Sequence, residues 1–136
     1  MASVHLQSIN GYVQQIQARS HQLQADEPLD NGGTDSGPAP YELLLAGLAA
    51  CTSLTLRMYA DRKQWELGLI DVRMRFSRDE QGREKIDRTV AFGARLSPEQ
   101  IGRLGEICEK TPVTKTIRQG TEIQTTLNPA PLEPRA

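Results

Sequence analysis

The chain has 136 residues, of which 38% are hydrophobic and 24% charged, and this is the size of one ordinary domain. Its 16 basic and 17 acidic residues give a formal net charge of −1, so it lacks the long-range attraction for phosphate backbones that a basic domain shows. We therefore expect no nucleic acid partner. Because no apolar run approaches the roughly 18 to 20 residues of a membrane span and residues 1–10 show no signal pattern, we expect a cytoplasmic protein without a membrane partner.

Two cysteines, Cys51 and Cys108, and two histidines, His5 and His21, are the side chains best suited to metal or redox chemistry. The cysteines lie 57 positions apart, too far for a CxxC motif and too few for a disulfide framework or a structural zinc site. No metal or cofactor is predicted. In a reducing compartment, each thiol taken alone is most simply a small buried hydrophobic side chain.

The first forty residues predict short strands followed by a long loop. Residues 4–25 are polar but alternate in hydrophobicity around an Asn10-Gly11 turn signal, which is typical of a β-meander. Residues 29–40 are rich in glycine and proline, and this composition marks a loop. The length of the loop indicates a functional or interface role.

Residues 40–63 form the strongest predicted element, a long helix that begins at Pro40. A surface helix has one apolar stripe, but here leucines cover nearly the whole circumference. These leucines are Leu43, Leu44, Leu45, Leu48, Leu54 and Leu56. We therefore expect the helix to be buried on all sides, and a symmetric second copy of the chain is the simplest way to bury it.

The next part of the chain predicts a β-hairpin and a helix. Residues 70–76 and 84–94 each alternate in hydrophobicity, and a turn joins them, so we expect an antiparallel pair. A capping box from Ser97 to Gln100 opens a helix with an apolar face that includes Cys108. Cys108 is therefore expected to face the core.

The last part of the chain predicts a shorter helix, a strand and a tail. Thr111 caps the helix, a proline follows it, and Gly120 ends the helix. Residues 122–127 then predict a last strand. The proline-rich residues 128–136 can neither pair as a strand nor extend a helix, and we expect a mobile tail.

Several of these segments together carry a family resemblance. The residues concerned are His21-x-Leu23-x-x-Asp26-Glu27-Pro28, Gly32-Gly33, Gly37-Pro38-x-Pro40-Tyr41-Glu42-Leu43-Leu44-Leu45-Ala46-x-Leu48-x-x-Cys51-Thr52, Thr55-Leu56-Arg57-Met58-Tyr59-Ala60, Lys63 and Pro112-Val113-x-Lys115. Over roughly residues 4–127 the chain resembles the OsmC/Ohr superfamily. The resemblance implies an α+β fold: a single OsmC-like domain over residues 1–127, built as an intertwined homodimer with two long helices back to back between sheets.

The resemblance also implies an activity, thiol-dependent reduction of organic hydroperoxides in oxidative-stress defence. In the family, a thiolate on the central helix attacks the O–O bond and becomes a sulfenic acid. A second cysteine resolves it to a disulfide, and an external dithiol reduces that disulfide. Cys51 occupies the attacking position. Arg19 is the candidate activating arginine, because the family's arginine comes from the N-terminal part of the chain.

The sequence departs from the family pattern at two positions. The resolving cysteine of the family directly precedes the Pro-Val pair, where this chain has Thr111, and Cys108 three residues earlier is the only other thiol. The glutamate that orients the activating arginine lies ten residues before the reactive cysteine, where this chain has Tyr41, and Glu42 follows it. Cys108 and Glu42 are therefore the candidate replacements.

These residues are compatible with three different functions. The first is a two-cysteine peroxidase with Cys51 attacking and Cys108 as a displaced resolver. The second is a one-cysteine variant that an outside thiol resolves. The third is a non-catalytic dimer that binds a small apolar or thiol ligand.

Overall fold

The computed structural model describes residues 1–132, and its strands and helices follow the predicted order. The strands are β1 (His5–Ser8), β2 (Gln14–Ala18), β3 (His21–Ala25), β4 (Ile70–Arg78) and β5 (Glu84–Phe92). The helices are α1 (Pro40–Lys63), α2 (Pro98–Cys108) and α3 (Pro112–Gln119), with a 3₁₀ turn at Leu29–Asn31. This arrangement confirms the predicted α+β class with an N-terminal meander, a long central helix and a β-hairpin.

The N-terminal sheet has one apolar row and one polar face. Its antiparallel strands run in the order β1-β2-β3, and the register places Leu6 beside Ile16 and Ile16 beside Leu23. Leu6 and Leu23 are about half exposed, at 47% and 49%. The described part of the chain therefore leaves the apolar row of this sheet only partly covered.

The inner face of α1 forms the core together with the β-hairpin and α2. Leu48, Thr52, Leu56 and Ala60 recur every four residues, and all four are buried. Leu56 and Ala60 join Leu67 and Leu104 in the buried apolar cluster. Cys108 packs against this cluster, which confirms that it faces the core.

The outer face of α1 is apolar and is left exposed by a single chain. Gly47, Ala50, Leu54 and Met58 lie three or four residues apart along this face, and all four are exposed. Leu54 is 57% and Met58 is 60% exposed. One chain has too few elements to cover both faces of α1, so burial on all sides, which was expected to need a second copy of the chain, stays a prediction. We call these four residues the outer stripe.

The expectation that no apolar run approaches the length of a membrane span is wrong by the criteria of length and composition. Helix α1 is long and apolar enough to cross a bilayer, and 28% of its most apolar 18-residue window is buried inside the protein. Core helices pass the same test of length and composition. The packing of Leu48, Leu56 and Ala60 inside the protein shows that one face of α1 belongs to a protein core.

The predicted last strand does not form. The segment from Glu122 to Leu127 has no regular secondary structure, and Ile123 and Leu127 are 84% and 87% exposed. A strand needs a neighbouring strand to satisfy its backbone groups, and no strand in the described residues pairs with this segment. The predicted tail begins after it, and residues 133–136 of that tail lie outside the described residues.

A buried carboxylate organises the loop that leads into α1. Oδ2 of Asp26 accepts hydrogen bonds from the backbone and hydroxyl groups of Thr34 and Ser36 at 2.7 to 3.2 Å, and Oδ1 accepts from the N–H of Glu27 at 2.7 Å. The hydroxyl of Thr34 and the N–H of Ser36 contribute most to holding the pKa of Asp26 well below its ordinary value. The loop also needs Gly33, because a Cβ there would overlap the carbonyl oxygen of Glu27.

We expect Asp26→Asn to lower the melting temperature strongly at pH 7 and by a smaller amount at pH 3, where part of the contribution of the carboxylate is already lost. A carboxylate whose pKa is depressed on folding stabilises the fold above its unfolded pKa near 4, and this contribution is lost as the pH falls toward the lower folded value. Asparagine would also turn N–H groups toward the donors of the loop. Thermal melts of both proteins at the two pH values test this, and an equal gap at pH 7 and pH 3 would contradict it.

Candidate active site

Cys51 lies on α1 at the border between the buried face and the outer stripe. It follows Gly47 of the outer stripe by four residues and Leu48 of the buried face by three, and both spacings place side chains side by side on a helix. The thiol is free and partly buried. Its sulfur lies 4.0 Å from the hydroxyl oxygen of Thr55, one turn further along α1. The sulfur therefore sits where a molecule covering the outer stripe would meet the edge of the core.

Thr52, the residue after Cys51, belongs to a buried polar cluster centred on Arg88 of β5. The Arg88 side chain is only 13% exposed. Its Nη1 donates to the hydroxyl oxygens of Thr52 on α1 and Thr114 on α3, both at 2.9 Å, and Nη2 donates to the carbonyl oxygen of Cys108 at 2.9 Å. Glu109 places a carboxylate oxygen 3.9 Å from Nη2. One guanidinium thus connects α1, the end of α2 and the first turn of α3.

Thr111, at the family's resolving position, belongs to the same cluster. It is fully buried, and its hydroxyl oxygen lies 2.6 Å from that of Thr114. It also accepts the N–H of Thr114, which confirms Thr111 as the cap of α3. Among the described residues, no buried side-chain oxygen or nitrogen lacks a partner. The resolving position is therefore filled by a hydroxyl whose hydrogen bonds are satisfied.

Cys51 and Cys108 are both free thiols, and the polar contact of the Cys51 sulfur is with Thr55 rather than with Cys108. Cys108 ends α2 and packs against the apolar cluster, and only its backbone carbonyl joins the Arg88 cluster. Burial raises the pKa of the Cys108 thiol, and the nearby Arg88 guanidinium offsets part of that rise. Thr52 faces Arg88, and Cys51, the preceding residue, points about 100° away around α1. The two thiols therefore lie in different surroundings.

Glu42 performs a structural task at the start of α1. Its Oε1 accepts the N–H of Ala39 at 2.8 Å, which satisfies a backbone donor just before the helix. Glu42 is exposed. The contact accounts for this glutamate without any role at Cys51.

We expect Glu42→Ala to lower the free energy of unfolding by about 0.5 to 1 kcal/mol and to leave the reactivity of Cys51 within about twofold of the parent. Denaturant unfolding and the rate of Cys51 oxidation by cumene hydroperoxide measure the two effects. A tenfold loss of that rate in a stably folded variant would instead assign Glu42 the orienting role implied by the family resemblance.

Arg19 lies in the turn between β2 and β3 rather than within a strand. Its backbone is left-handed, with φ of 55°, and its carbonyl oxygen accepts a hydrogen bond from the side chain of Gln17. The side chain is exposed. Among the described residues, no hydrogen bond joins the Arg19 side chain to Cys51, and its catalytic role stays a prediction.

A cavity of about 520 Å³ opens beside the same cluster. Its walls combine apolar side chains with five charged residues, Glu84, Lys85, Arg88, Glu109 and Arg118. Tyr41, at the family's glutamate position, stacks on Phe76 with ring centroids 4.6 Å apart. The lining residues are Tyr41, Leu44, Leu48, Phe76, Glu84, Lys85, Ile86, Arg88, Glu109, Thr114, Ile117 and Arg118. Cys51 is not one of the lining residues, but it follows Leu48 of the lining by three residues on α1.

Arg88 is the residue that the sequence analysis missed. It occupies the same phase of β5 as Ile86, Val90 and Phe92, and all four are partly buried. An arginine in the apolar phase of an alternating strand must find hydrogen-bond partners inside the protein, because burying an unpaired charge is costly. That signal was present in the sequence. Across residues 1–132, no group of three or more His, Cys, Asp or Glu side chains is placed to hold a metal ion.

Comparison with known proteins identifies the family. The family model for OsmC-like proteins matches residues 33–126, more than half of the chain. No curated protein sequence matches the chain. The chain belongs to the OsmC-like protein family.

Solved structures share the fold. The organic hydroperoxide resistance protein OhrB of Bacillus subtilis is 25% identical with a TM-score of 0.60, and the match covers 87% of this chain and 90% of that one. A Legionella pneumophila organic hydroperoxide resistance protein OsmC is 17% identical with a TM-score of 0.64, covering 87% and 89%. An osmotic stress induced and detoxification response protein from Psychrobacter arcticus is 16% identical with a TM-score of 0.76, and the match covers 85% of this chain and 88% of that one.

Proposed function

We propose that the protein reduces organic hydroperoxides, with Cys51 as the attacking thiol and an external thiol compound as the reductant. The observation that carries the proposal is the position of Cys51, a free and partly buried thiol at the edge of an exposed apolar stripe on the central helix. The names of the Bacillus and Legionella relatives support the substrate class. Because it depends on a thiolate, the reaction needs no metal.

We further propose that two copies of the chain form an intertwined homodimer around α1. The outer stripe and the apolar row of the N-terminal sheet, Leu6-Ile16-Leu23, are two incompletely covered apolar surfaces on one chain. Packing them against a second copy removes both from water, which is the main driving force for association. Cys51 borders the outer stripe, so the dimer seam would form one wall of its site.

The cavity beside α1 supplies a place for the organic part of the substrate. Leu44, Leu48 and the stacked pair Tyr41–Phe76 offer apolar surface, and apolar burial contributes about 25 cal/mol per Å². This favours alkyl and aryl hydroperoxides over hydrogen peroxide, which has no apolar part.

The chemistry balances without a second cysteine. The Cys51 thiolate attacks the hydroperoxide, the O–O bond breaks, and with one proton the products are an alcohol and a Cys51 sulfenic acid. An external dithiol then reduces the sulfenic acid, releasing water and its own disulfide and restoring the thiol. Two observations favour this route over resolution by Cys108: Cys108 packs against the core cluster, and Thr111 is a buried hydroxyl.

Titration of free thiols before and after one equivalent of cumene hydroperoxide tests the proposal. We expect the loss of one thiol per chain, restored by dithiothreitol. Loss of two thiols would show that Cys108 resolves the intermediate, and the one-cysteine route would be wrong. No loss would contradict the enzyme and support a non-catalytic dimer that binds a small ligand.

A further inference from the structure

We propose that Arg88 is a positioning residue for Cys51, a role that rests on the proposed function of that thiol. The guanidinium holds the α1 turn that carries Cys51 against the junction between α2 and α3. One side chain, only 13% exposed, donates three hydrogen bonds of 2.9 Å to three different helices. We call this arrangement the Arg88 clamp.

The clamp acts on the residue next to the reactive thiol. The Thr52 hydroxyl accepts from Arg88 and donates to the carbonyl oxygen of Leu48 at 2.7 Å, so the guanidinium is connected to the Leu48–Thr52 turn of α1. The side-chain contact of the Cys51 sulfur, Thr55, lies on the same helix. The placement of the sulfur relative to the cavity therefore depends on where α1 is held, and Thr52 is the point at which β5 holds it.

The other end of the clamp fixes the helix that carries the family's resolving position. Arg88 donates to Thr114, and Thr114 contacts the hydroxyl of Thr111. This hydrogen-bonded link joins α1 and α3 through Thr52, Arg88 and Thr114 without a disulfide. A link of this kind does not depend on the redox state, so it holds Cys51 in place before and after oxidation.

Lysine cannot reproduce the clamp. The planar guanidinium presents several donors in a fixed fork and reaches Thr52, Thr114 and the Cys108 carbonyl at once, whereas an ammonium group is a compact point charge. A displacement of the reacting atom by about 1 Å can cost a hundredfold in rate. We therefore expect both Arg88→Met and Arg88→Lys to slow the oxidation of Cys51 by about tenfold or more.

A double-mutant cycle tests the proposal. The rate of Cys51 sulfenic acid formation with cumene hydroperoxide is measured for the parent, Arg88→Met, Thr52→Val and the double variant. If Arg88 acts through Thr52, each single change slows the reaction about tenfold and the double variant is no slower than either, because both changes remove the same contact. Arg75→Met, an exposed arginine on the neighbouring strand, is the control and should stay within twofold. Single variants within twofold of the parent, or multiplying effects, would overturn the proposal.

Alkylation of Cys51 by iodoacetamide separates positioning from simple loosening. A purely structural role would loosen α1 and speed both reactions, whereas positioning slows oxidation and does not slow alkylation. If Arg88→Met does not fold, Thr52→Val and Arg88→Lys provide the same comparison. If the parent does not react with hydroperoxide, the proposed function fails by that result alone, and the cycle is then read on the free energy of unfolding. Additive effects of Arg88→Met and Thr52→Val on that free energy would overturn the clamp as well.

Discussion

Cys51→Ser is expected to abolish the consumption of organic hydroperoxide. A serine hydroxyl is not ionised near neutral pH and cannot replace a thiolate in the attack on the O–O bond. With cumene hydroperoxide and dithiothreitol, the rate should fall to that of dithiothreitol alone. Because Cys51 is only partly buried and Ser is close to it in size, the variant should fold like the parent.

Cys108→Ser is the matched control, since it changes the only other thiol in the chain. Cys108 packs against the core, so we expect a modest loss of stability. Turnover with the external dithiol should be retained, because that dithiol reduces the sulfenic acid directly. A single turnover followed by arrest would show that Cys108 is needed to complete the cycle. Retained turnover in Cys51→Ser would remove Cys51 from the reaction.

Gly47→Leu is expected to convert the proposed dimer into a folded monomer. Gly47 lies on the outer stripe, and within one chain a Cβ at this position meets no atom within 4 Å. The added side chain therefore harms only a contact with a second copy. Overpacking costs about 1 to 3 kcal/mol per site, and the symmetric dimer contains the change twice. Sedimentation velocity at micromolar concentration should show the monomer, with unchanged helix content by circular dichroism.

Gly102→Leu is the control for this prediction. Gly102 is also an exposed helical glycine with no atom within 4 Å of a built Cβ, but it lies on α2. Both substitutions favour the helix by about 1 kcal/mol relative to glycine, so they differ mainly in the surface they occupy. We expect Gly102→Leu to sediment like the parent. If both variants remain dimers, the outer stripe is not the interface.

The local elements could be predicted because each has a signal in its own residues. Helix α1 begins at Pro40 and α2 begins after Ser97, as the proline and the capping box predict. The hairpin strands follow from alternation. The last strand could not be judged in this way, because alternation in residues 122–127 indicates a strand only where another strand can pair with it.

The candidate site was less predictable, because it depends on contacts between distant segments. Cys51 was identified from the sequence, but the contacts of Arg88 with Thr52 and Thr114 span 36 and 26 residues. Glu42 was assigned by its proximity to a family position, whereas its carboxylate contacts the start of its own helix. Resemblance of a short motif to a family pattern does not show which residues a side chain contacts in the folded protein.

Peptide mass spectrometry after oxidation tests the central claim most directly. The protein is treated with one equivalent of cumene hydroperoxide in the presence of dimedone, which traps sulfenic acids, and is then digested. We expect the dimedone adduct on the peptide that carries Cys51 and an unmodified Cys108. An unmodified Cys51 under excess hydroperoxide, or an adduct confined to Cys108, would contradict the assignment of Cys51 as the thiol that reduces organic hydroperoxides.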